Sequence, residues 1–133
     1  MMLSTQQLDI SNELCNAVFK TNNKITFVAI INQKGRIEQC QSHNSIIEKF
    51  SDTKKEMFLM ENALWYRTRK EYDEELGQVQ FTYVKRKKRG VLSFPIGDSL
   101  LLVSFKQLLD VSMLAKIITR LVNKYEKKLN HFS

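Results

Sequence analysis

Between Gln78 and Lys106 the chain reads QVQFTYVKRKKRGVLSFPIGDSLLLVSFK, three short apolar runs separated by two turns of opposite character. One turn is the basic run Lys85, Arg86, Lys87, Lys88 and Arg89 closed by Gly90; the other is Gly97-Asp98. Short runs rich in β-branched and aromatic residues, joined by tight turns, fold as an antiparallel meander, because parallel strands need long crossovers. The first run, Gln78 to Val84, alternates Val79, Phe81 and Tyr83 on one face. The second, Val91 to Ile96, carries Pro95 near its end, where a residue without an amide donor must sit clear of a ladder bond. The third, Leu100 to Phe105, is apolar on both faces and is expected at the centre of the sheet.

Two more strands precede the meander. Lys24 to Asn32, KITFVAIIN, is almost continuously apolar, as in a strand covered on both sides. Gln33-Lys34-Gly35 turns the chain, and Arg36 to Gln41 returns as a polar edge strand whose apolar face is carried by Ile37 and the alternate positions. Three helices complete the pattern. The first runs from about Ser4 to Thr21 on Leu3, Gln7, Ile10, Leu14, Ala17 and Val18. The last runs from about Asp110 to Leu129 on a single stripe of Leu114, Ile117, Ile118, Leu121, Val122, Tyr125 and Leu129, with Asp110 or Ser112 as its cap. After a connector holding Ile46, Ile47 and Phe50, the middle helix is expected from about Thr53 to Leu76, with Thr53 and Glu56 at capping-box spacing and Gly77 as its stop.

The resulting order is α-β-β-α-β-β-β-α. It predicts an α+β fold, a three-layer α/β/α sandwich around a five-stranded antiparallel sheet, with the first and last helices on one face and the middle helix on the other. The middle helix has two apolar arcs, where a surface helix normally has one. Met57, Phe58, Met60, Leu64, Trp65, Tyr72 and Leu76 form the broad arc; Leu59, Ala63 and Tyr66 form a second on the opposite side. One arc must pack on the sheet and the other on a further surface. A second subunit is favoured over the short preceding element, with Leu59, Ala63 and Tyr66 as the partner-facing set. The later pairs Arg67–Glu71, Arg69–Asp73 and Lys70–Glu74 have helical spacing, but each is worth only a few tenths of a kcal/mol on a solvated face.

Taken together, FVAIINQKGRIEQC, with its apolar strand, glycine turn and second strand, and the terminal LLLVSF followed by an amphipathic helix make the chain resemble the Roadblock/LC7 domain, a relative of the profilin-like and longin folds. It also resembles an uncharacterised family of ammonia-oxidising archaea (Nitrososphaerota) through ITFVAIINQKGRI, KKEMFLMENAL, RKEYDEELGQVQFTYVKR and LSFPIGDSLLLVSF. The Roadblock resemblance implies homodimers in which the middle helices pair and the first strands of the meander meet edge to edge, which adds Val79 and Phe81 to the expected interface. It further implies a scaffold or regulator of small GTPases that does not itself hydrolyse nucleotide. The basic turn here is longer than that family's pattern.

Residues 1–133 are expected to form a single domain with a frayed tail at 130–133. No apolar run reaches the roughly 18 to 20 residues that span a bilayer, and no leader pattern opens the chain, so a cytoplasmic protein without a transmembrane segment is expected. Cys15 and Cys40 lack paired spacing and read as reduced, packed thiols. Neither GxxxxGK[ST] nor GxGxxG occurs, nor a nucleophile-elbow sequence. His43 and His131 could join the two cysteines as metal ligands only by coincidence of folding, and Asp73-Glu74-Glu75 point in different directions on a helix. No enzyme activity, cofactor or metal is therefore expected. The Lys85–Arg89 run supplies five of the seven net positive charges. It reads first as a solvated hairpin tip that guards an edge, and second as an anion-binding patch for an acidic protein, nucleic acid or anionic lipid. Five phosphate contacts on duplex DNA would give a slope of log affinity against log salt of about −4.5. A small-molecule sensor, which related folds include, stands as a third possibility and would need a sizeable pocket.

Overall fold

The structure, a computed structural model, describes residues 5–107 and 110–131. Helix α1 spans Thr5–Phe19, strand β1 Ile25–Ile31, strand β2 Ile37–Ser42, helix α2 Asp52–Arg69 and the one-turn helix α3 Asp73–Leu76. Strands β3 (Thr82–Lys85), β4 (Arg89–Ile96) and β5 (Ser99–Lys106) make the meander, and helix α4 spans Val111–His131. All neighbouring strands are antiparallel, in the order β2-β1-β5-β4-β3. This is the expected α+β three-layer arrangement. Leu3 and Ser4, expected within the first helix, lie outside the described residues, as do two residues of the expected tail, 132–133; its other two, Asn130 and His131, continue α4.

The two central strands explain the layers. Every residue of β1 is buried, and so are Leu100 to Phe105 of β5, because both faces of each strand are covered. On one face Leu14, Cys15 and Val18 of α1 meet Val28, Ile30, Leu92, Phe94, Val103 and Phe105, with Leu114, Ala115, Ile118 and Val122 of α4. On the other face Leu59 and Ala63 of α2 pack on Phe27, Ala29, Ile31, Leu100 and Leu102, with Ile47 from a 3₁₀ turn at Ile47–Lys49. Asp110 caps α4, its carboxylate accepting from the Met113 amide at 2.9 Å.

Three local expectations change. The cap of α2 is Ser51 rather than Thr53: Ser51 is extended (ψ 158°) and its Oγ accepts from the Lys54 amide at 3.2 Å. The middle helix stops at Arg69 and passes through a 3₁₀ turn, Lys70–Tyr72, before α3. The tighter turn breaks the four-residue spacing, so none of the three expected pairs closes; among the described residues Lys55–Glu48 is the sole ion pair. Arg69 instead lies 5.0 Å over the Trp65 ring and Lys70 lies 5.1 Å over Tyr66.

The third change concerns the first strand of the meander. β3 starts at Thr82, not Gln78, leaving Val79 and Phe81 ahead of the ladder. Pro95 accounts for this. The β4–β5 ladder runs past it to Ile96↔Ser99, but β3 pairs no further along β4 than Ser93. A residue with no N–H cannot extend the ladder on the β3 side.

Candidate functional site

The exposed side of α2 is the largest departure from ordinary surface composition. Met57 (65% exposed), Met60, Leu64 (51%) and Trp65 (46%) stand in water on the broad arc, while Leu59 (4%) and Ala63 (3%) are sealed beneath the helix. This corrects the expectation that Leu59 and Ala63 face a partner, while Tyr66 stays partly accessible. The physical reason is clearance. The turn after β1 brings Gly35 against the α2 backbone so closely that a Cβ there would lie 2.7 Å from the Met60 Cα. A helix held at that distance fits Ala63 and Leu59 over the sheet and leaves no room for Trp65 or the methionines. The broad arc is not wholly free: Phe58 is half-buried and meets Phe50 edge-on, ring centroids 6.1 Å apart. Tyr66 is also half-buried, packing on the α2-side core.

This apolar row runs into an edge of the sheet. β3 is a terminal strand, paired among the described residues with β4 alone, so its other side presents amides and carbonyls outside the ladder. A groove joins the two features, lined by Trp65 and Tyr66 of α2 with Val79, Thr82 and Val84. Thr82 Oγ1 is bonded to Ser93 Oγ across the β3–β4 pair, which steadies the groove floor. Phe81 and Tyr83 lie against core aromatics on the opposite face, with centroids 5.8 Å from Phe94 and 6.1 Å from Phe105, yet both keep an exposed edge. The structure thus places Val79 in the groove and Phe81 on the opposite face of the same sheet edge, and removes Leu59 and Ala63 from reach. It adds Met57, Met60, Leu64 and Trp65. Their signal was the broad arc itself, whose direction the sequence did not reveal.

The basic run sits at the opposite end of β3. Lys85, Arg86, Lys87 and Lys88 are exposed, Arg89 is half-buried at the start of β4, and the Arg86 amide donates to the Arg89 carbonyl at 2.8 Å to close the hairpin. An open crevice lies between the 76–80 segment and α4, lined in part by Tyr66, Asp73, Val79, Phe94 and Glu126. Burial there raises the Glu126 carboxyl above its usual range.

Cys15 and Cys40 are unpaired and pack toward opposite faces of the sheet. Burial pushes the Cys15 thiol up to about 12, helped by the nearby Cys40, against a backbone hydrogen bond at Ile30. Cys40 is raised by burial and by Glu48, with Lys55 opposing. Both are therefore neutral, unreactive thiols near pH 7. Among the described residues no cluster of three or more His, Cys, Asp or Glu side chains is arranged to hold a metal, and no helix is long and apolar enough to cross a membrane.

Comparison with known proteins gives a family and a fold. Residues 8–133 match a family described as a family of unknown function (DUF6659). No curated protein matches the sequence. Among solved structures, MglB of Myxococcus xanthus is 14% identical, with 97% of this chain and 96% of that one covered and a TM-score of 0.70. A Roadblock/LC7 domain from Streptomyces avermitilis is 12% identical, with 89% and 96% covered and a TM-score of 0.67. An MglB with a tetrameric arrangement is 12% identical, with 97% and 96% covered and a TM-score of 0.68. The fold is that of the Roadblock/LC7 domains.

Proposed function

The chain belongs to this family of unknown function, and from that premise we propose that it is a non-catalytic module that forms homodimers and binds another protein. The observation that carries the reading is the row of Met57, Met60, Leu64 and Trp65, exposed beside an unpaired strand edge. Contiguous apolar surface of this kind marks an interaction site. A second copy fits both parts at once. Two α2 helices about a twofold axis bury each other's apolar row, and two β3 edges pair across the same axis. Val79 and Phe81, left out of the β3 ladder, extend that edge toward the partner copy. An MglB with a tetrameric arrangement supports self-association within this architecture.

The Roadblock resemblance supports a small GTPase as the protein bound, with the dimer as scaffold or regulator. We further propose a cytoplasmic location and, from the longer sequence pieces, an origin in ammonia-oxidising archaea. Light scattering over a concentration series tests the dimer: a mass twice that of the chain is expected, and a strict monomer at high micromolar concentration would remove it. Affinity capture from native extract, compared between wild type and Leu64→Glu, tests the partner. Failure of the wild type to enrich any GTPase over the variant would sink that part alone.

A second reading rests on the exposed Lys85–Lys88 tip, which has no carboxylate in ion-pair contact among the described residues. If the tip binds nucleic acid or anionic membrane, replacing Lys85, Arg86, Lys87, Lys88 and Arg89 with Ser abolishes salt-sensitive binding to duplex DNA or anionic vesicles. Equal binding by wild type and variant would dispose of it.

A further inference from the structure

One end of the sheet gathers cations that the apolar face does not use. The β4–β5 register sets Arg89 directly opposite Lys106, and the Lys106 amide donates to the Lys24 carbonyl at 2.9 Å. Adjacent strands therefore present Lys24, Lys106 and Arg89 side by side, and Lys88 and Gln107 complete an open hollow with them. Like charges directly opposite one another oppose strand pairing. None of these cations makes an ion pair with a carboxylate among the described residues. Asp110 lines a neighbouring hollow with Lys24, and its Oδ1 caps α4.

Arg89 adds an independent sign. Among the described residues its Nη1 is buried with no hydrogen-bond partner, a state that native structures rarely leave unexplained. A solvated hairpin tip accounts for neither feature, since Lys24 and Lys106 lie far from the tip in sequence and the orphaned nitrogen is out of solvent.

The geometry points to a binding site for a phosphate group in this hollow, with Arg89 and Lys106 as principal donors, Lys24 and Lys88 as flanking charges and Gln107 as a neutral donor. A tetrahedral dianion offers several acceptors to a guanidinium fork and several negative charges to a crowded row of cations. A soluble phosphate compound and a lipid phosphomonoester present the same group. The site is independent of the α2–β3 face.

Two probes separate the sources: sodium pyrophosphate titrated into the full chain by calorimetry, and flotation on phosphatidylcholine vesicles with and without phosphatidic acid. Saturable binding of either probe is expected. Lys106→Gln and Arg89→Lys are each expected to weaken it about tenfold or more, the size of one lost charged hydrogen bond. Arg89→Lys keeps the charge, so its effect reports the fork and not the field. The control Lys85→Gln/Arg86→Gln removes two charges from the same hairpin and should change affinity by no more than about twofold, as expected for rim charges. Should Arg89→Lys melt early, Lys106→Gln at an exposed position decides alone. Pyrophosphate binding lost in the hollow variants assigns a soluble phosphate, and loss confined to phosphatidic-acid vesicles assigns a lipid. The proposal is overturned if neither probe binds, or if the tip control loses as much affinity as the hollow variants.

Discussion

Gly35 holds two constraints at one position. Its φ of +81° favours glycine, and a Cβ there would lie 2.7 Å from the Met60 Cα and 2.8 Å from its nitrogen. The obstacle is backbone of a packed helix, which cannot swing aside. Gly35→Ala is therefore expected to cost about 2 kcal/mol or more, while Gly97→Ala, at φ +56° with nothing within 4 Å, costs about 1 kcal/mol of left-handed strain. Urea titrations of the two variants check the difference. That a glycine closes the β1–β2 turn was legible in NQKG; that the turn presses on α2 was not, because the contact joins residues remote in sequence. Glu126 offers a pH test. Its folded carboxyl is raised by burial, so protonation favours the folded state, and that contribution is lost as pH rises through the raised value. Glu126→Gln should accordingly melt slightly above wild type near pH 7, with the gap closing as pH falls through the carboxylate range in thermal scans.

At the scale of elements, α2 holds the largest difference between what the sequence predicts and what the fold adopts. Its two apolar arcs were visible in the sequence, yet a helical wheel has no absolute direction, and the broader arc is not the one that the sheet receives. Burial separates the arcs by experiment. Leu59→Ala opens a cavity against Phe27 and Leu102 and should cost about 2 to 5 kcal/mol in chemical unfolding while leaving the oligomer intact. Leu64→Glu, at a half-exposed position, should barely change the stability of the single chain but convert the dimer to monomer by light scattering. An unchanged dimer in Leu64→Glu together with a broken one in Leu59→Ala would restore the original assignment. The cap of α2 was missed by two residues because Ser51 and Thr53 are both good caps; the extended backbone of Ser51 decides between them.

For the whole molecule, we propose that residues 1–133 unfold as one unit, which predicts coincident far- and near-ultraviolet circular-dichroism transitions; separated transitions would divide the chain. If the α2–β3 face joins two copies, the melting temperature must also rise with protein concentration. The sequence by itself determined the strand and helix types, their order and the burial of β1 and β5, because those follow from apolar periodicity along a local stretch. It determined, too, that Pro95 would sit where no ladder bond is needed. Which ladder it interrupts, how short β3 becomes, which arc of α2 meets the sheet and how Lys24, Lys106 and Arg89 come to share one hollow were decided only by tertiary structure. These depend on strand register and on the distance at which a helix can approach a sheet, and both are set by contacts between residues that no local pattern connects.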